Sequence, residues 1–549
     1  MKRVALAIVL SLISTTVFSQ HQHSTPADAK PASLIEGLGE HHHPVSTTNA
    51  EAQRFFDQGL TFVYAFNHDE AIRSFKRAAE LDPNLAMAHW GVALALGPNI
   101  NLDIDAAREK LAYEAIQRAI ALAAKAPEHE RAYIEALAKR YSNDPKADLK
   151  KLDVDYKNAM GELARRYPDD LDAATLYAES AMDLRPWKFW SADGKPAEGT
   201  EEIVAVLESV LKRDPDHIGA NHYYIHAVEA SQHPEWALPS AQRLKVLTPA
   251  AGHLIHMPAH IDIRTGNYEA AARANAYAAE ADREHIKNNG GQGVYPMMYY
   301  THNLHFLSIA HSMQGRLRDA KRAAGQLEAH LNPYINNMPE MIPMIDGFMS
   351  LPTLTLVRFR LWDEVLKTPA PDKRLPATTA LWHFARGMAY ASTRKIDTAE
   401  SEQGILADAA KNIPPDVPYG INTVSTILKI AQNVLSAKIA LAKNDKNSAI
   451  EFLKKAVEVE DSLSYTEPAD WNIPVRETLG GLLVLSGNPA EAEKVFRADL
   501  EKNPRNGRSL FGLQESLKAQ GKKSAVQFVQ RELQVAWKNA DVQLRMEDL

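Results

Sequence analysis

Ala52–Pro83, AQRFFDQGLTFVYAFNHDEAIRSFKRAAELDP, decides the fold. Within it Gly59, Ala71, Phe75, Ala78 and Pro83 are spaced 12, 4, 3 and 5 residues apart. Small residues at such spacings let two antiparallel helices approach closely. Asp82-Pro83 closes the second helix, because proline cannot continue one. The punctuation returns along the chain. Gly266-Asn267-Tyr268-Glu269-Ala270-Ala271 reads as a turn between two helices, and Gly487-Asn488-Pro489-Ala490-Glu491-Ala492, followed by Phe496 and Pro504, reads as another copy. Further helix pairs run through Ala86–Gly97, His217–Pro249, Gly315–Leu327, Trp362–Val365, Gly387–Ala399 and Gly507–Gly521.

This pattern resembles the tetratricopeptide repeat, a 34-residue helix–turn–helix. The resemblance covers most of residues 49–540 and is weakest over 100–165 and 400–465. It implies an all-α fold, a superhelical solenoid of antiparallel helix pairs in which each pair buries its face on its neighbours. It also implies one reading of function: a protein-interaction scaffold holding a peptide or an envelope protein in its concave groove. FNHDEAIRSF, AMAHWG, HYYIHAVEAS, HMPAHI and YTEPADW are together similar to exported bacterial proteins of this family.

Composition agrees with a folded solenoid. Apolar residues are 45% and charged residues 24% of 549, enough to bury a core. A net charge of −7 leaves no basic excess to neutralise phosphates, which argues against a nucleic-acid partner. There are no cysteines, so disulfides, thiolate nucleophiles, iron–sulfur clusters and Cys zinc sites are excluded. The chain has no phosphate loop after a strand and no HExxH helix.

The N-terminus reads as a secretory signal over residues 1–19: Lys2 and Arg3, then Val4–Ile13, apolar but for Ser11, then mostly small residues to Ser19. The apolar run is shorter than the ~20 residues that span a bilayer. The expected location is periplasmic or secreted, with no membrane span after cleavage. Residues 20–48, with His21, His23, His41, His42 and His43, read as a flexible His-rich segment, either a solvated linker or a metal-capturing tail. Repeats carrying a His cluster are expected over 49–330, and C-terminal repeats over 331–549.

Histidine is the informative residue. With the closing proline of each repeat numbered 32, Pro215 and Pro249 set one register 34 residues apart. His222 and His226 then take positions 5 and 9, and His253, His256 and His260 take positions 2, 5 and 9 of the next repeat. After an insertion of about 15 residues, His302 and His305 take positions 2 and 5 of a third. At the chain average, 21 in 549, nine such positions would hold on the order of 0.3 histidines; they hold seven, with only Gly219 and Ile309 breaking the set. The family resemblance puts positions 2, 5 and 9 on the concave groove. Spacing alone says that residues i, i+3 and i+7 share a helix face, and that helices ~8–10 Å apart bring equivalent positions together.

Imidazole suits Zn, Cu, Ni and Fe, and each ion needs three or four ligands. The seven histidines are therefore candidate ligands for copper or zinc, for one ion or two. An ion there is either held and delivered, or performs hydrolytic or redox chemistry. Glu229, three residues after His226, is the candidate carboxylate ligand or general base. The competing readings are a groove of neutral histidines binding a peptide, and inert packing. Pro258 inside a first helix frees the carbonyl of Leu254 and re-aims His260. Tyr223, Tyr224, Tyr299 and Tyr300 flank the His segments and offer gating or stacking. The Gly-rich Glu284–Met297 is read as a non-helical insertion, a lid or a surface loop. Met338, Met341, Met344 and Met349 read as an adaptable apolar face, with Cu(I) as the alternative. His68, His89 and His383 read as packing or capping residues. Asp183–Trp187 is expected to wall the groove, and Tyr465–Trp471 to form a structured inter-repeat loop.

Overall fold

The computed structural model describes residues 32–289 and 293–549. The expected signal over 1–19, His21, His23, and Gly290, Gly291 and Gln292 of the insertion lie outside the described residues.

The fold is an all-α solenoid of antiparallel helix pairs, among them Ala50–Tyr64 with His68–Leu81, Val424–Ala442 with Lys446–Asp461, and Val475–Leu485 with Pro489–Lys502. Among the described residues the one sheet is a hairpin pairing Pro418–Tyr419 with Asn422–Thr423. Helix starts are capped where the sequence offers a short polar side chain. Asn49 accepts from the N–H groups of Glu51 and Ala52, and Asn67 from that of Glu70. The turn inside a pair needs a left-handed residue. Glycine supplies it at Gly266 (φ 76°) and Gly487 (φ 78°), while Phe66 occupies the same conformation at φ 55°.

The close approach seen in the sequence has one cause. A Cβ on Gly59 would stand 2.6 Å from the Phe75 ring, and one on Gly91 would stand 2.5 Å from it. Phe75 is thus clamped between the first helix of its own repeat and that of the next. Gly480, Phe496 and Gly512 repeat the clamp at the same 16-residue steps, with Cβ approaches of 2.5 and 2.1 Å.

The solenoid closes on itself. A Cβ on Gly266 would meet the Pro504 carbonyl at 2.4 Å, one on Gly315 would meet Trp537 at 2.2 Å, and Arg358 pairs with buried Glu477 at 2.6 Å. A buried apolar cluster from Tyr268 to Leu375 runs through residue 330, so the repeats continue across that point. Met341 and Met349 are buried in this cluster, and Met338 and Met344 pack against it.

Two local expectations are corrected. Residues 32–48 are not a free tail. Gln58 Nε2 donates to the Ser33 carbonyl at 3.0 Å, Gly37 O accepts from Ala250 N at 2.9 Å, and Leu38 and His43 are buried. The insertion begins as helix, because Tyr268–Asn289 runs six residues into it before Pro296–Tyr300 re-enters as a π-turn. Among the described residues, one helix is long and apolar enough to cross a membrane by composition, Val424–Ala442, and half of that stretch is buried in the fold.

Candidate metal centre

Three consecutive repeats supply the histidines. Ile218–Val228 carries His222 and His226. Pro258 splits the next first helix into Gly252–His256 and Pro258–Arg264, separating His253 and His256 from His260. Thr301–Met313 carries His302 and His305.

Six of the seven predicted residues gather into two triads, His222–His226–His253 and His256–His260–His302, each with ligand atoms within 4.8 Å of one another. The rule is simple: positions 5 and 9 of one repeat meet position 2 of the next. His305 would open a third triad, but Ile309 stands at its position 9, and His305 packs against Phe348 instead, ring centroids 5.4 Å apart. Gly219, at position 2 of the first repeat, leaves room for Tyr64, whose ring a Cβ there would meet at 2.5 Å.

The triads face inward. His222, His226, His253, His256 and His260 are at most 3% exposed. Phe66 lies over the first triad, with centroids 4.6, 6.0 and 5.3 Å from His222, His226 and His253. Tyr299 meets His253 edge-on at 4.8 Å, and half-exposed Trp187 meets His226 at 5.4 Å. Phe306 backs the second triad, 5.1 Å from His256. Five of the six imidazoles thus sit packed under aromatic side chains rather than along an open groove, while His302 is half-buried.

Hydrogen bonds set the tautomers. His222 Nδ1 donates to the Tyr64 carbonyl at 2.6 Å, a carbonyl freed by the end of its helix. His226 Nδ1 donates to Glu229 Oε1 at 2.7 Å, and His260 Nδ1 to Glu229 Oε2 at 2.5 Å. His256 Nδ1 donates to Asn275 Oδ1 at 2.7 Å, with the Asn275 amide fixed by its own Nδ2 bond to Ala271 O at 2.8 Å. Four imidazoles thus hold hydrogen on the outer nitrogen and turn a bare Nε2 inward. This is how metal-ligating histidines are oriented. His226 Nε2 is buried without a protein partner. His222 Nε2 stands 3.2 Å from His253 Nε2.

Electrostatics agree. Burial pushes His222, His226, His253, His256 and His302 below the ordinary histidine range, so they are neutral donors near pH 7. Burial acts on His260 in the same direction, but the Glu229 charge outweighs it and raises the group. Burial would also raise Glu229, yet His260 and His226 hold it ionised below the usual carboxylate range.

Glu229 was expected as a ligand or general base. Each of its oxygens accepts from one imidazole N–H, and His226, Glu229 and His260 also bring ligand atoms within 4.8 Å of one another. Tyr64, Phe66, Asn275 and Tyr465 belong to the centre and were not found as such. Of these, only Asn275 carried a local hint, as an amide on the helix that follows His256.

A second cluster gathers on buried Asp172. His43 Nδ1 lies 2.8 Å from Oδ2, and His41 Nε2, His217 Nε2 and the Tyr64 hydroxyl lie 3.0, 3.3 and 2.5 Å from Oδ1. It lines a cleft of about 1050 Å³ with His129, Arg166 and Asp216. Its chemistry differs from that of the triads. His217 Nδ1 accepts from Ala220 N–H at 3.2 Å, so its hydrogen sits on Nε2 and points at the carboxylate. These contacts latch the N-terminal segment, and His41, Asp172 and His217, like His43, Asp170 and Asp172, bring ligand atoms within 4.8 Å of one another. His383, outside both clusters, is held by Glu402 at 2.6 Å.

Residues 433–462 match the family model of the tetratricopeptide repeat, inside the stretch where the sequence pattern was weakest. No curated protein matches the chain. Among solved structures, yeast Tom70 is similar at 10% identity over 88% of this chain and 90% of that one, with a TM-score of 0.31. The human IFIT1 dimer with PPP-AAAA is similar at 12% identity over 89% and 91%, also with a TM-score of 0.31.

Proposed function

We propose that this tetratricopeptide-repeat protein binds two transition-metal ions, copper or zinc, one in each histidine triad. The observation that carries the reading is the orientation of the rings. Four outer nitrogens donate to fixed acceptors, and the inner nitrogens converge as bare donors in a buried place. Three imidazoles leave each ion an open position, the arrangement of a centre that does chemistry rather than of a closed structural site. Phe66, Trp187 and Tyr299 make the surroundings of the first triad apolar. We further propose that the chain is exported, as the basic, apolar and small-residue order of its first 19 residues suggests.

The test is metal analysis by plasma mass spectrometry on tagless protein, expressed with its own leader and purified without chelator or metal resin. Close to two equivalents are expected in the wild type. Close to one is expected in the His256→Ala, His260→Ala double variant and in His222→Ala, His253→Ala. No uptake after reconstitution, or unchanged stoichiometry in both doubles, would sink the assignment.

A second reading, recognition of a protein partner, is the general use of such repeats. Phe528 and Val535, one face of the terminal helix Lys523–Ala536, are 62% and 61% exposed and supply an apolar surface remote in sequence from the histidines.

A further inference from the structure

Tyr465 arrives at the centre from the other half of the chain. Its hydroxyl lies 3.1 Å from Glu229 Oε2, across 236 residues, and 2.8 Å from Glu467 Oε1. Arg264 fixes the crossing. Its guanidinium lies over the Tyr465 ring at 5.3 Å, while Nε and Nη2 donate to the carbonyls of Glu229 and Ser231, each at 3.0 Å. The loop behind Tyr465 is anchored in turn. Asn422 Nδ2 donates to Asp470 Oδ2 at 2.7 Å, and a Cβ on Gly420 would meet Asp470 at 2.4 Å.

We propose that Tyr465 is a positioning residue of the metal centre: its hydroxyl, shared between Glu467 and Glu229, makes the third contact on the carboxylate that both triads share, and through it the C-terminal repeats close the centre. The inference rests on the metal-binding reading above. Glu229 receives one imidazole on each oxygen. A carboxylate held by two rings alone still rocks about its terminal torsion, because such torsions are broad. A third contact from a separately anchored loop fixes its plane. That plane sets the planes of His226 and His260, and so the direction of their inner nitrogens. Partners of this outer kind carry ~10–100-fold in metal affinity.

The experiment loads the full-length protein with copper(II) and follows its release to excess chelator in a stopped-flow instrument, with the visible and paramagnetic resonance spectra recorded beforehand. Tyr465→Phe is expected to release copper ~10–100-fold faster and to shift both spectra, with an unchanged circular dichroism spectrum. Tyr177→Phe removes a hydroxyl–carboxylate contact of 2.5 Å to Glu202, away from the centre, and is expected to behave as wild type. Wild-type release and spectra in Tyr465→Phe would overturn the inference while leaving the metal reading intact. A wild type that binds no copper or zinc would overturn both. Should Tyr465→Phe lose its fold, Arg264→Lys, which withdraws the planar guanidinium from the ring, is expected to show the same acceleration. A wild-type rate there would overturn the proposal.

Discussion

His256 Nε2 and His260 Nε2 face each other at 2.7 Å, and the hydrogen-bonded nitrogen of each ring points the other way. Two lone pairs do not rest at that distance without a cation between them. A proton can take that place, because the Glu229 charge outweighs burial and raises His260. A metal ion would compete for it, so loading is expected to release protons and to weaken on acidification.

Glu229→Gln tests whether one carboxylate serves both triads. A glutamine side chain keeps one acceptor oxygen and presents an amide N–H₂ to the other imidazole N–H, so one ring must turn. Affinity at both sites is expected to fall ~10–100-fold, read by competition titration with a chromogenic chelator. Loss confined to one ion would show that Glu229 belongs to a single triad.

Trp187 offers a spectroscopic handle. Among the described residues, it is the tryptophan whose ring meets a triad histidine, 5.4 Å from His226, and its backbone is left-handed at φ 63°. Such a conformation costs a non-glycine residue about 1–2 kcal/mol. Copper(II) in the first triad is expected to quench Trp187 emission at contact range. Trp187→Phe is expected to abolish most of the quenching seen on the first equivalent. Equal quenching in that variant would place the copper elsewhere.

The sequence was legible where physics is periodic. A 34-residue step fixes which faces meet, so the fold and the gathering of six histidines followed from Pro215, Pro249 and the histidine spacing. His305 shows the limit of the rule. It occupies the right position, but a triad also needs position 9, and Ile309 offers no nitrogen. What could not be read were contacts across the closed superhelix, Tyr465 with Glu229 and His43 with Asp172, because no local pattern encodes a meeting over 236 or 129 residues. The burial of the centre was missed for the same reason. It depends on how far the solenoid turns before Pro504 reaches Gly266.

The latch on Asp172 gives a pH dependence with a definite sign. Burial lowers His41 and His43, but Asp172 outweighs it, and both stand above the ordinary histidine value of 6.5. Burial would raise Asp172, yet the imidazoles hold it well below 3.8. The histidine contribution is therefore fully present below pH 6.5 and lost as pH rises through the raised values. The Asp172 contribution is present above 3.8 and lost as pH falls through its depressed value. Residues 33–47 are expected to be most protected from hydrogen exchange near pH 6 and to loosen above neutrality, after correction for intrinsic rates. Asp172→Asn is expected to remove the difference. Equal protection at pH 6 and pH 8.5 in the wild type would refute the latch.

The aromatic clamp predicts where the solenoid tolerates no methyl group. Phe75 is fully buried between Gly59 and Gly91, and Phe496 between Gly480 and Gly512. Alanine is the better helix former by ~1 kcal/mol, so propensity alone would make Gly59→Ala stabilising. Sterics oppose it: a Cβ at 2.6 Å from the Phe75 ring forces the ring or the helices apart. Overpacking of this kind costs roughly 1–3 kcal/mol, so the net sign is destabilising. Differential scanning calorimetry is expected to show a lower melting temperature for Gly59→Ala and for Gly480→Ala. Adding Phe75→Leu to Gly59→Ala is expected to recover part of the loss, because the smaller side chain vacates the contact, so the two changes are coupled rather than additive. Additive losses would mean that the glycine is needed for its backbone and not for its closeness to Phe75.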